Sequence, residues 1–136
     1  MNGQRMVIDA SATFYLVTME TDWPARDRYD LVAPELMFSE TLSALSQAAF
    51  RGDLPGSALS TALARMDALG VTAVPTDDRH RRASLDIAQR LGWAKTYDAE
   101  YIALARTLGC PVMTMDERLK RGAAGLVDLV GPLDLS

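Results

Sequence analysis

The chain has 136 residues, 49% of them hydrophobic, with a formal net charge of −4; that is enough apolar content for one packed core in a single domain, 1–136, and unlike a disordered chain. No apolar run approaches the roughly 20 residues that cross a bilayer, and the opening Met1-Asn2-Gly3-Gln4-Arg5 lacks the apolar stretch of a secretory leader, so cytoplasmic residence without a membrane is the expectation. A single cysteine, Cys110, excludes an internal disulfide framework and fits a small buried hydrophobe.

In chain order, a first strand is expected over residues 5–8. Asp9-Ala10-Ser11 then turns into a helix over about 12–19, with Ser11 as its N-cap. Thr21-Asp22-Trp23-Pro24 interrupts it, and a short second strand is expected at 31–33, ending before Pro34. Beyond Pro34, Phe38, Leu42, Leu45 and Ala49 recur at helical steps and predict one buried stripe. Gly52-Asp53-Leu54-Pro55-Gly56 turns the chain into a second helix with Leu59, Ala62, Leu63, Met66 and Leu69 inward. The two make a helical hairpin that covers the sheet and offers a partner surface.

A third strand is expected at 71–74, closed by Pro75. Asp77 or Asp78 caps a helix to Leu91, with Ala83, Ile87 and Leu91 buried and Gly92 as its end. A helix over 97–108 ends at Gly109. A fourth strand starts at Pro111 and runs to Thr114 or Met115, a short helix spans about 117–123, and a last strand covers 126–130. Strands alternating with helices imply an α/β domain whose parallel sheet of four or five strands is covered on both faces.

Four carboxylates stand out against this outline. Asp9 follows Met6-Val7-Ile8, and Asp116 follows Val112-Met113-Thr114-Met115. Two parallel strands deliver such acids to the same end of the sheet, where sites form in open α/β folds. Asp98 opens the helix leading to the fourth strand, and Glu40 lies in the first turns of the helix after Pro34. Taken singly, each has a structural reading: Asp9 and Asp116 as caps, Asp98 as a complement to the helix dipole, Glu40 as an exposed residue of an amphipathic helix. Taken together, gathered acidic oxygens repel unless a hard cation sits among them, which points to Mg²⁺ or Mn²⁺.

Other chemistries fit poorly. His80 is the sole histidine, lies in a basic run, and reads as a surface residue rather than a general base. One histidine and one cysteine exclude a histidine-based zinc site. There is no phosphate-binding glycine loop and no nucleophile elbow. From Asp9 through Glu40, seven carboxylates face only Arg26 and Arg28, whereas Arg79, Arg81, Arg82 and later Arg118, Lys120, Arg121 form basic clusters. Acidic pocket beside basic surface suits a metal-dependent enzyme acting on a polyanion; solvated helix faces are the simpler reading of the clusters.

The acids in their contexts resemble the PIN-domain family, especially the VapC-type toxins of bacterial toxin–antitoxin pairs. The resemblance is carried by Val7-Ile8-Asp9-Ala10-Ser11-Ala12, by Ala33-Pro34-Glu35-Leu36-Met37-Phe38-Ser39-Glu40, by Thr96-Tyr97-Asp98-Ala99-Glu100-Tyr101-Ile102-Ala103-Leu104-Ala105, and by Thr114-Met115-Asp116-Glu117-Arg118-Leu119. It spans nearly the whole chain, and the third segment is its most specific match. The resemblance implies a three-layer α/β/α sandwich, a Mg²⁺- or Mn²⁺-dependent endoribonuclease, a homodimer, and a small VapB-like antitoxin that blocks the site. It implies Asp9, Glu40, Asp98 and Asp116 as the metal and catalytic set, with Thr114 supporting Asp9. Glu117 receives no role, and Arg118 is either a phosphate contact or a solvated helix residue. The alternatives are a PIN-domain RNA-processing nuclease outside any toxin pair and a catalytically inactive RNA- or protein-binding domain. A receiver-like regulatory domain would need a phosphoacceptor aspartate after a middle strand and a lysine after the last, and neither is evident.

Overall fold

The computed structural model describes residues 3–135, so Met1 and Asn2, where the leader reading begins, and Ser136 lie outside it. In chain order come β1 (Gln4–Ile8), α1 (Ala10–Thr18), β2 (Tyr29–Pro34), α2 (Leu36–Phe50), α3 (Ser57–Leu69), β3 (Thr72–Val74), α4 (Asp78–Leu91), α5 (Tyr97–Leu108), β4 (Val112–Met113), α6 (Glu117–Ala123) and β5 (Leu129–Val130).

The strands form one parallel sheet in the order β3-β2-β1-β4-β5. β1 lies between β2, where Met6 pairs with Leu31, and β4, where Ile8 pairs with Met113. Right-handed crossovers make this order decisive. From β1 the chain steps outward through α1 to β2 and through α2 and α3 to β3. It then returns through α4 and α5 to β4 on the other side of β1, which places those helices on the opposite face. The result is a three-layer α/β/α sandwich. The strand order reverses between β1 and β4, and that reversal opens a crevice at their carboxyl ends.

From Met6 on, β1 is apolar like β4 because both faces are covered there: Met6, Val7, Ile8, Val112 and Met113 are all buried. α5 presses Tyr101, Ile102 and Leu104 into this core, while Val17, Leu45 and Ala62 form a smaller cluster among α1, α2 and α3. α5 ends at Gly109, whose φ of +68° is the left-handed cap that glycine adopts without penalty. Among the described residues, no helix is long and apolar enough to cross a membrane.

Several expectations are corrected. β2 extends through Pro34, which pairs in register with Val74. β5 is confined to Leu129–Val130. The buried line of α2 is Met37, Thr41, Leu45 and Ala48, one residue round from the expected stripe, and Leu42 is 48% exposed. On α3 only Ala62 is buried, and Leu63 faces out. On α4 the buried residues are His80, Ser84, Ile87 and Ala88. The shifts on α2 and α4 share a cause. Thr41 donates its hydroxyl to the Met37 carbonyl at 2.9 Å, and Ser84 donates to the His80 carbonyl at 2.8 Å. A hydroxyl satisfied one turn back costs little to bury, so counting apolar residues misplaces the inner face.

Candidate active site

Asp9 leaves the sheet at the crevice. Its backbone N–H still donates to the Met113 carbonyl at 3.1 Å, so the residue stays beside β4. Its side chain then caps α1, with Oδ1 accepting from the Ala12 N–H at 2.9 Å and from the Ser11 hydroxyl at 2.7 Å. Asp9, not Ser11, is therefore the N-cap. The β-to-α turn is too short to admit another residue, and the first acid after the strand meets the free amides. The other oxygen, Oδ2, accepts from Thr114, the contact that the resemblance implies. Ser11 is used instead to join the two strand ends: its Oγ accepts the Met115 N–H at 2.9 Å. Asp9 is only 5% exposed. Burial raises its pKa from 3.8 to about 6, against the pull of the Thr114, Ala12 and Ser11 hydrogen bonds, and the nearby Asp98 charge raises it further.

Asp116 stands two residues beyond Thr114, and its N–H donates to Thr114 Oγ1 at 3.0 Å. It caps α6, with Oδ1 accepting from Arg118 N–H at 2.9 Å and Leu119 N–H at 3.3 Å. Asp98 sits in the first turn of α5. Its proton affinity is raised by burial and then by Asp116, and lowered by Arg118. Glu40 reaches in from α2 and accepts a 2.5 Å hydrogen bond from the Tyr101 hydroxyl. Its pKa is raised by burial and by Asp98, with Tyr101 opposing.

The fold thus brings all four acids to one crevice, where Asp98 feels Asp116 and both Asp9 and Glu40 feel Asp98. They ring an opening rather than close on one point: among the described residues no three Asp, Glu, His or Cys side chains converge tightly enough to hold an ion as they stand. The donor set is nonetheless all hard oxygen; burial first, and neighbouring carboxylate charge after it, raise the pKa values of Asp9, Glu40 and Asp98, a penalty that a divalent cation relieves.

Sequence reasoning missed three residues of this region. Tyr101 falls on an apolar helix face and reads as core, and nothing local pairs it with Glu40, 61 positions away. Glu100 lies partly buried beside Glu40, and burial followed by that charge raises its pKa. His80 is not a surface residue: it is buried, with Nε2 3.8 Å from Glu100 Oε1 and no hydrogen-bond partner among the described residues. Its signal was available, because 80, 84, 87 and 91 follow helical steps of four, three and four. The basic clusters largely follow the simpler reading. Arg81 and Arg82 pair with Asp78 at 4.0 and 2.7 Å, and Lys120 pairs with Glu117 at 3.4 Å. Cys110 is half-buried, and burial raises its thiol pKa.

The family model described as "PIN domain" matches residues 6–125. No curated protein sequence matches the chain. Among solved structures, PAE2754 from Pyrobaculum aerophilum is 25% identical with a TM-score of 0.71, covering 93% of this chain and 92% of its own. VapBC2 from Rickettsia felis, bound to a DNA fragment from its promoter, is 11% identical with a TM-score of 0.63, covering 94% and 98%. VapBC-5 from Mycobacterium tuberculosis, a member of the VapBC family of toxin–antitoxin systems, is 19% identical with a TM-score of 0.56, covering 93% and 96%.

Proposed function

The chain belongs to the PIN-domain family, and from that premise we propose that it is a Mg²⁺- or Mn²⁺-dependent endoribonuclease, acting as one domain over 1–136 and serving as the toxin of a VapBC-type pair. The observation that carries this reading is the ring of Asp9, Glu40, Asp98 and Asp116 at the β1/β4 crevice, with buried Asp9 at its base.

These four carboxylates would hold the ion. When bound, it supplies positive charge that lowers the pKa of a coordinated water and offsets charge on the phosphodiester. The chain's own residues fix the frame. Ala12, Ser11 and Thr114 fix the orientation of the Asp9 carboxylate with three hydrogen bonds, and Oδ2, which takes only one of them, keeps a lone pair for the ion. Tyr101 orients Glu40. Asp116 is held by two amides of α6, and Asp98 lies at the more open side, where a phosphodiester can enter. Asp9, Glu40 and Asp116, held this way, avoid reorganisation during reaction. The products are a phosphate ester and a hydroxyl end, with water consumed.

The partners proposed are RNA as substrate, a small VapB-like antitoxin, and a second copy of the chain, all within the cytoplasm. Support for a protein partner lies on the α2–α3 hairpin, where Phe50 is 93% exposed and Leu42 and Leu63 also face out. The toxin pairing is tested by inducing the chain in a bacterial host. Wild type is expected to arrest growth, Asp116→Asn to leave growth normal, and co-expression of a small DNA-binding protein from the adjacent gene to relieve the arrest. A chain that cuts RNA in vitro but is harmless when expressed, with no such neighbour, is an RNA-processing nuclease instead.

A further inference from the structure

We propose that the cavity beside Asp98 and Asp116 is a subsite for one unpaired RNA base, stacked on Trp93, with Arg118 holding the adjoining phosphate. The proposal rests on the nuclease reading and deepens it by naming what the enzyme grips next to the bond it cuts.

The cavity has a volume of about 300 Å³ and is lined by Trp93, Asp98, Asp116, Arg118 and Leu119. That size is at the small end of the roughly 300–1,000 Å³ of ligand-sized pockets. Its lining combines an aromatic ring, a cation and two of the four site acids. Those are the groups that meet a base, a phosphate and the reacting phosphodiester of a single nucleotide step. Proteins that read single-stranded RNA stack splayed bases on aromatic rings and guanidinium planes.

Trp93 is held there by the backbone. α4 ends at Gly92, and the Trp93 N–H donates back to the Ala88 carbonyl at 2.8 Å. On the α6 side the ring meets Gly122, where an added Cβ would lie 3.2 Å from Trp93 Cζ2. The missing side chain lets the indole sit directly against the helix that carries Arg118. The Arg118 side chain is 88% exposed, with Nε 3.9 Å from Asp116 Oδ1, so it is free to swing to an incoming phosphate. A base within a duplex is stacked on both faces and cannot reach this ring, so the subsite selects unpaired nucleotides.

The test is a titration of the full chain with a short single-stranded oligoribonucleotide of mixed sequence, under chelator so that nothing is cut, followed by cleavage of the same RNA with Mn²⁺. The chain has two tryptophans; Trp23 is buried and stacked on Tyr29, so the emission change that separates wild type from Trp93→Leu belongs to Trp93. RNA is expected to quench wild-type emission and to leave Trp93→Leu unchanged. In cleavage, Trp93→Leu is expected to raise KM roughly 10- to 100-fold, with kcat less affected, while Trp93→Phe keeps most of the affinity. Gly122→Ala, whose added Cβ crowds the ring at 3.2 Å without removing it, is expected to have a smaller effect than Trp93→Leu. Unquenched Trp93 under saturating RNA, or wild-type KM in a folded Trp93→Leu, overturns the subsite. Cleavage that is lost in Asp98→Asn but untouched in Trp93→Leu overturns the subsite alone. Absence of cleavage by wild type overturns the nuclease reading, and the quench still decides whether a base binds.

Discussion

Thr114 donates its hydroxyl to Oδ2 of Asp9 across 105 positions of sequence, and its own Oγ1 accepts the N–H of Asp116. One buried side chain therefore ties the end of β1 to the end of β4 and sets the spacing of two site acids. Thr114→Val keeps the shape and removes the hydroxyl, leaving a buried carboxylate oxygen and an amide without partners. The expected loss is about 1–3 kcal/mol of stability in urea unfolding, with Asp9 pushed further above its present pKa. Thr114→Ser, which keeps the hydroxyl, is expected to recover most of it. A fully stable Thr114→Val would show that the link is incidental.

Asp9 also predicts a pH dependence. Its folded pKa of about 6 exceeds the ordinary 3.8, so the folded state holds the proton more tightly than the unfolded state. The associated stabilisation is present below about pH 4 and is lost as pH rises through 6 in the metal-free protein, a gap of about 3 kcal/mol. A divalent ion binds the deprotonated form and reverses the penalty. The rise in Tm on adding Mn²⁺ is thus expected to be large near pH 8 and small near pH 5. An Mn²⁺ effect that is the same at both pH values would contradict the assignment of Asp9 as a ligand.

Tyr101→Phe removes only the hydroxyl that orients Glu40. The fold is expected to survive, since the ring stays packed in the core. Mn²⁺ affinity and cleavage are both expected to fall about 10- to 100-fold. Isothermal titration separates this from a stability effect, because unfolding would reduce the number of binding sites rather than the affinity.

His80 makes the opposite kind of prediction. Burial lowers its pKa, with Asp77 opposing, and its Nε2 has no partner among the described residues. The unfolded chain takes up a proton near pH 6.5 that the folded chain resists, so this group's stabilisation is present above 6.5 and is lost as pH falls toward the folded value. His80→Leu is expected to be as stable as wild type or up to about 1 kcal/mol more stable at neutral pH, and to lose less on acidification. A large loss of stability would mean that His80 makes a bond its geometry does not show.

These contrasts mark what the sequence carries. α5 ends where Gly109 predicts and α6 starts where Asp116 predicts, because such helix ends are written locally. The convergence of Asp9 and Asp116 followed from the direction of parallel strands, a rule of topology that needs no contact information. The inner faces of α2 and α4 were misplaced because Thr41 and Ser84 bury hydroxyls bonded to their own helices. The Tyr101–Glu40 bond and the place of His80 beside Glu100 depend on how α5 lies against α2 and α4, and no local pattern encodes that packing.

The most direct measurement is incubation of purified chain, free of any inhibitor, with total cellular RNA and Mg²⁺ or Mn²⁺, beside chelator and Asp98→Asn controls, with every new end mapped. Discrete cuts that vanish in both controls, from variants that remain folded, are the predicted result. Cutting that persists in either control, or intact RNA in the presence of folded wild type and metal, would contradict a metal-dependent ribonuclease built on these four acids.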